Sequence, residues 1–292
     1  MTATSRHTLL GVIALGAAFL HSCDKLDNPV IEVVQTIDTT DVEVPEFSPL
    51  TSAVPRVLVE DFTAHQCGNC PPAGLELASL MNAHPDSIVP LAIHAGNLAV
   101  TNADFPIDWT CEEGDAFWGN VTLQLNPIGR VNRVNTAFGQ EILPNFWADE
   151  VADQLTRTPS AGIQMVIDAD ENAGDLVVHA HVTWLADVAG QPKLSLLVAE
   201  NHVVGPQLWY ASANPPGPGL VEDYDHKHVL RGSVTGAYGL AIAENPIAGD
   251  THQVGYTYTW NNAWDMGNSE IIAVLTDDNG TVIQTMALPI LP

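Results

Sequence analysis

Basic residues are scarce in this chain: nine Lys and Arg stand against 35 Asp and Glu, a formal charge of −26 with histidine neutral. A surface that holds nucleic acid needs basic density to neutralise phosphates, so the balance argues against that class of partner. It argues equally against a polybasic grip on anionic lipid. Internal repeats and low-complexity tracts are missing, which disfavours solenoids and propellers. No phosphate loop, dinucleotide fingerprint or hydrolase elbow is present, which weighs against kinases, dehydrogenases and esterases. Charge itself is sparse, at 15 % of positions, while 46 % are hydrophobic. The chain is therefore no acidic disordered polymer and has the material for a core. Its 292 residues correspond to about two domains, and the carboxylate excess reads as a solvated surface.

What is there begins with a targeting segment. Arg6 is the only early positive charge, and Leu9 to Leu20 is an unbroken run of apolar residues and glycine, the length of a signal-peptide core and too short to cross a bilayer. Leu20-His21-Ser22-Cys23 then resembles a bacterial lipobox, in which Cys23 is diacylated and becomes the first residue of the mature protein; His21 departs from the usual small or apolar residue. The alternative is an ordinary secretory signal with an incidental cysteine. Residues 1–22 are thus expected as a lipoprotein signal peptide. Residues 23–55, acidic and threonine-rich with Pro29, Pro45, Pro49 and Pro55, read as a lipidated cysteine and flexible tether.

Val57 to Phe62 is a β-branched and apolar run, and Ala73, Leu77, Leu80 and Met81 fall on one helical face. A strand therefore feeds a helix through Cys67-Gly68-Asn69-Cys70. A CxxC at a helix start places its first sulfur near unpaired backbone N–H groups, which favours thiolate and makes Cys67 a competent nucleophile. Pro71 and Pro72 suit the first helical turn.

These features resemble the thioredoxin superfamily. In that fold a buried carboxylate stands six residues before the nucleophilic cysteine, the place of Asp61, and acts as proton acceptor for the second cysteine. The neighbouring Glu60 competes for that role, and a strand-end acid meeting water is the plainer alternative. The fold also implies a cis-proline facing the dithiol, for which Pro127 is the candidate. Ile88 to His94 reads as the second core strand, Asn97 to Asn120 as an insertion carrying Cys111, and Pro144 to Arg157 as the last helix of a domain spanning 56–158. Gln66 and Asn69 replace the aromatic and the proline of efficient thioredoxins, so redox poise does not carry over. More widely, the chain resembles Bacteroidota outer-membrane lipoproteins named after a twenty-eight-kilodalton outer-membrane protein. The likeness rests on Val59-Glu60-Asp61-Phe62-Thr63, Cys67-Gly68-Asn69-Cys70-Pro71-Pro72, Gly129-Arg130-Val131-Asn132-Arg133 and Tyr224-Asp225-His226-Lys227-His228-Val229-Leu230-Arg231. It implies an outer-membrane address more firmly than an activity.

Four cysteines less a lipidated Cys23 leave Cys67, Cys70 and Cys111, an odd number in an oxidising compartment. If Cys67 and Cys70 pair, Cys111 is either a buried small hydrophobe or a third thiol able to attack them. Zinc held by Cys67 and Cys70 with His65, His94 or Cys111 is the other reading, disfavoured because no second close pair exists.

From about Ser160 the pattern turns to period two. Ile163 to Ile167, Leu176 to Trp184, Leu194 to Val198, Gly255 to Trp260, Glu270 to Leu275 and Val282 to Met286 read as short strands parted by turn signals. An all-β, immunoglobulin-like sandwich over 159–292 follows. Pro206 to Glu222 reads as a long loop, and loops of that length often bind partners. His226 and His228 alternate along a strand and are candidate metal ligands, the plainer alternative being a polar strand edge. The aromatics Trp209, Tyr210, Trp260 and Trp264 read as core packing rather than a ligand platform.

The reading is an α/β thioredoxin-like domain followed by a β-sandwich, lipid-anchored in the outer membrane and facing periplasm or exterior. Cys67 attacks, Cys70 resolves, Asp61 handles the proton and Pro127 shapes a peptide groove. Disulfide substrates would be envelope proteins, with no cofactor and no nucleic acid. The alternative is a non-enzymatic surface or binding lipoprotein with a structural CxxC disulfide.

Overall fold

A computed structural model describes residues 44–170 and 174–291. The signal peptide, lipobox and most of the tether lie outside the described residues. Residues 44–55 form no strand or helix, yet they lie against the second half of the chain: Phe47 stacks on His181 at 5.1 Å, and the Val54 carbonyl accepts from Gln284 Nε2.

Strand β1 (Val57–Thr63) leads to helix α1 (Cys70–Ala83) and strand β2 (Ile88–His94). Helix α2 (Glu112–Gly119), strand β3 (Ile128–Val131) and helix α3 (Trp147–Leu155) follow. β1 runs parallel to β2 and antiparallel to β3, and all seven of its residues are buried. Successive strand residues point to opposite faces. Val57 and Val59 accordingly pack with Ala73, Leu77 and Leu80 of α1 and Trp147 and Val151 of α3. Leu58 and Phe62 face a different core that holds Phe117 of α2. A strand covered on both faces reads as a near-continuous apolar run, which is why VLVEDF carries no alternation.

The second half supplies β4 (Ala161–Asp170), β5 (Asp175–Trp184), β6 (Lys193–Glu200), β7 (Val203–Trp209), β8 (Gly219–His226), β9 (Val229–Ser233), β10 (Leu240–Ala241), β11 (Thr251–Thr259), β12 (Ser269–Thr276) and β13 (Val282–Pro289). One sheet crosses both halves in the order β13-β12-β6-β9-β2-β1-β3, with β10 beside β6. It curls until the Val282 N–H donates to the Asn132 carbonyl at 2.9 Å, so its first and last strands meet. The concave face encloses Leu58, Leu91, Ile93 and Ile128 together with Leu197, Leu230, Ile272 and Val274. On the convex face a three-stranded sheet, β11-β5-β4, packs Val178, Ala180 and Val182 against Leu196, Val198 and Ala273. The protein is thus β-rich with few helices. β7 and β8 pair only with each other; of the loop expected over 206–222, residues 210–218 with the Pro-Gly run remain one, and its two ends are strand.

Candidate functional site

Thr63 ends β1 and Cys70 begins α1, so the chain reverses within a few residues. The Cys67 N–H donates to the Ala64 carbonyl at 3.0 Å and the Cys70 N–H to the Cys67 carbonyl at 3.1 Å. These turns bring the Cα atoms of Cys67 and Cys70 to 5.4 Å, and the two are joined in a disulfide. Pro71 and Pro72 occupy the first turn of α1, where an N–H has no intrahelical partner to lose. Gln66 ties the loop to the insertion: its N–H donates to Leu98, its amide to the Val100 carbonyl, and its oxygen accepts from Asn102 at 3.0 Å. Ala99 packs directly with Ala64 and the two cysteines.

Glu60 and Asp61 are adjacent but live on opposite faces of β1. Glu60 points inward and is clasped by Arg133, whose Nε and Nη2 bond its carboxylate at 3.1 and 2.6 Å with both groups buried. Asp61 points to the α1 side, is 3 % exposed, and its Oδ1 has no hydrogen-bond partner. Burial raises its carboxyl to about 7, the range in which a group both gives and takes a proton near neutrality. Of the two acids, Asp61 is the free one. The Asn126–Pro127 peptide is cis, and it leads into β3, where Ile128 pairs with Phe62 of β1.

Both cysteines are only 3 % exposed: Ala64 and Ala99 pack on them, and the β7–β8 hairpin bonds the loop that carries them. The Leu208 N–H donates to the His65 carbonyl and the Tyr210 N–H to the Gly68 carbonyl, each at 2.8 Å. Gln207 Nε2 donates to the Cys67 carbonyl at 3.0 Å. A Cβ built on Gly68 would come within 2.4 Å of the Tyr210 ring, so that ring rests flat against the glycine inside the CxxC. The sequence reading missed this cover; the only local signal was the Trp209-Tyr210 pair, since the contact spans about 140 residues of chain.

A second unforeseen feature is a buried histidine cluster beneath the hairpin. His94 of β2 lies 5.3 Å from His226 of β8 and 6.4 Å from His65, ring centre to ring centre. Trp109 wedges among them, 4.1 Å from His226 and 5.1 Å from His94. His94 Nδ1 and His226 Nε2 have no partner. Burial lowers all three pKa values, and mutual repulsion adds to it for His94 and His226, which falls to about 3. Tyr224, 4.8 Å from His226, reaches from β8 toward α1, and the Asp61 charge, after burial, holds its phenol high.

His226 and His228 do not form a pair. His226 closes β8 in the buried cluster, whereas His228 sits in a left-handed turn at φ 55° and bonds Glu270 at 3.2 Å. The chain turns between them, so the strand alternation that would align them is broken. Among the described residues no three ligating side chains converge on a common metal position. Cys111 caps α2, accepting from the Gly114 N–H and donating to the Leu230 carbonyl. Burial pushes its thiol up to about 12, which removes it as a nucleophile at neutral pH.

Comparison with solved structures places the fold beside HBP35 of Porphyromonas gingivalis, at TM-score 0.61 and 15 % identity over 82 % of this chain and 76 % of that one. Protein AGR_C_4864 of Agrobacterium tumefaciens is similar at TM-score 0.50 and 11 % identity, over 82 % and 96 %. A domain of the outer membrane lipoprotein Omp28 from Porphyromonas gingivalis aligns at TM-score 0.32 and 17 % identity, over 46 % and 90 %. At these identities the likeness to the first two is one of fold alone. No curated protein matches the chain. The model of the family described as outer membrane protein Omp28 matches residues 115–289, a span that takes in the Arg130–Arg133 turn and the β8–β9 segment but begins beyond the disulfide. As that span is more than half of its length, the chain belongs to the Omp28 family of outer-membrane proteins and is located in the outer membrane of the cell envelope.

Proposed function

We propose that the β1-α1-β2 and β3-α3 portion is a thioredoxin-like unit and that Cys67–Cys70 exchanges disulfides with cysteine-bearing envelope proteins. The observation that carries this reading is Asp61. An inert staple needs no buried carboxyl on the strand that feeds its loop, and a buried carboxyl with an unpartnered oxygen destabilises the fold it sits in. Its place on the α1 side of β1, the strand that feeds the CxxC loop, fits a proton carrier for the pair. The facing sheets of the second half support a sandwich of immunoglobulin-like type, which acts as scaffold and cover. Cys23 is proposed as the lipid anchor.

A substrate thiolate attacks Cys67 Sγ, the Cys67–Cys70 bond breaks, and its electron pair leaves on Cys70 Sγ, which takes the proton of the Asp61 carboxyl. A second thiolate of the same substrate then attacks the substrate sulfur of the mixed disulfide and releases Cys67 as thiolate. The substrate's two thiols become a disulfide, and the protein's disulfide becomes a dithiol. A different class of function, a binding lipoprotein with a structural disulfide, is favoured by one observation: both sulfurs are covered. Equilibration of the full, detergent-solubilised chain in glutathione buffers separates the two. We expect a potential between about −120 and −270 mV; a value below about −300 mV marks a structural staple and overturns the exchange reading.

A further inference from the structure

The geometry points to residues 207–210 as the chain's own occupant of a docking strip for an extended polypeptide. This inference rests on the exchange reading and names what approaches the disulfide. The strip is the outer edge of the CxxC loop. It offers the His65 and Gly68 carbonyls, which accept the N–H groups of Leu208 and Tyr210. Two donors spaced i and i+2 on one side of a strand are what any extended peptide presents. Such strand addition takes its affinity from the main chain and its selectivity from alternate side chains. The selectivity is visible here as well: Gly68 leaves room for a flat ring, filled by Tyr210, and the Cys67 carbonyl accepts an amide, supplied by Gln207. A partner therefore carries an extended segment free of proline at the two donor positions, with a ring or apolar side chain over Gly68. The chain's charge of −26 further favours neutral or basic segments over acidic ones.

The occupant is built so that it can leave. The hairpin pairs with neither large sheet. Both of its stems pass through left-handed, non-glycine residues, His202 at φ 58° and His228 at φ 55°. Tyr210 is 43 % exposed although its ring lies against Gly68 between the two cysteines, so the tip of the hairpin borders solvent. Removing the hairpin tip from the strip frees the His65 and Gly68 carbonyls and opens one side of the CxxC loop.

The test follows reduction of Cys67–Cys70 in the full chain by a synthetic peptide carrying two cysteines, with the native protein beside Gln207→Ala/Tyr210→Ala. The double variant is expected to react at least tenfold faster. A cysteine-free peptide of residues 203–212, added in trans, should slow the variant back toward the native rate. Gly68→Ala loosens the same contact from the other side, through the collision with the Tyr210 ring, and is expected to accelerate reduction without any change to the hairpin; it stands in if the double variant fails to fold. Equal rates in native and loosened proteins, or no effect of the trans peptide, overturn the docking strip and leave exchange intact. If no form exchanges with the peptide while a small phosphine still reduces the pair, the exchange reading itself falls, and this inference with it.

Discussion

At the scale of single residues, one position on β1 separates two adjacent acids that look alike in the sequence. Glu60 is paired within hydrogen-bond distance of Arg133, whereas Asp61 faces the α1 side without a partner for Oδ1. The consequence is a pH dependence with a definite sign. The Asp61 carboxyl is raised from 3.8 to about 7 in the folded protein. A raised acid contributes fully below its unfolded value and loses that contribution as pH climbs through its folded value. Native stability should therefore decline between pH 4 and pH 8 relative to Asp61→Asn, by on the order of 4 kcal/mol. Denaturant titrations of both proteins at pH 4 and pH 8 measure it. A difference that stays constant across that range would mean Asp61 ionises without cost in the fold.

At the scale of elements, legibility followed locality. β1, α1, β2 and the period-two strands β4, β5, β6, β11, β12 and β13 were readable because burial of one or both faces leaves a local pattern. β7 and β8 were not. Pro206 and the Pro-Gly run between them carry the composition of a loop, and what holds β7 in place is a set of carbonyls on the CxxC loop, far off in sequence. The histidine cluster was hidden for the same reason, since His65 comes from the β1–α1 loop, His94 from β2 and His226 from β8. Their presence makes the hairpin's seat acid-sensitive. Each has a folded pKa lowered by burial, so the unfolded chain binds the extra protons, and stability falls as pH drops below about 6.5. Asp61 acts in the opposite direction over part of that window, so Asp61→Asn is the background in which to look. There, the thermal midpoint should drop from pH 7 to pH 4.5, and His226→Phe should flatten the drop. An unchanged slope in His226→Phe would show that His226 is already solvated.

At the scale of the molecule, the two halves read from the sequence share one sheet and one core. β2 of the first half runs beside β9 of the second: Ala92 pairs with Val229, and its N–H donates to the His228 carbonyl at 2.8 Å. The concave core draws Leu58, Phe62, Leu91 and Ile93 from one side of residue 158 and Leu197, Leu230, Ile272 and Val274 from the other. No subset of these strands buries that face alone. Leaving several such side chains exposed costs about 1.5–3 kcal/mol each, together as much as the roughly 5–15 kcal/mol by which a domain of that size is ordinarily stable. Residues 44–291 are therefore expected to unfold as one cooperative unit. Scanning calorimetry should give a single transition whose calorimetric and van't Hoff enthalpies agree. The segment 56–158, expressed alone, should lack cooperative melting and bind a hydrophobic dye. Two resolved transitions in the intact chain would place the divide at β2–β9 and show that the shared face contributes little to holding the halves together.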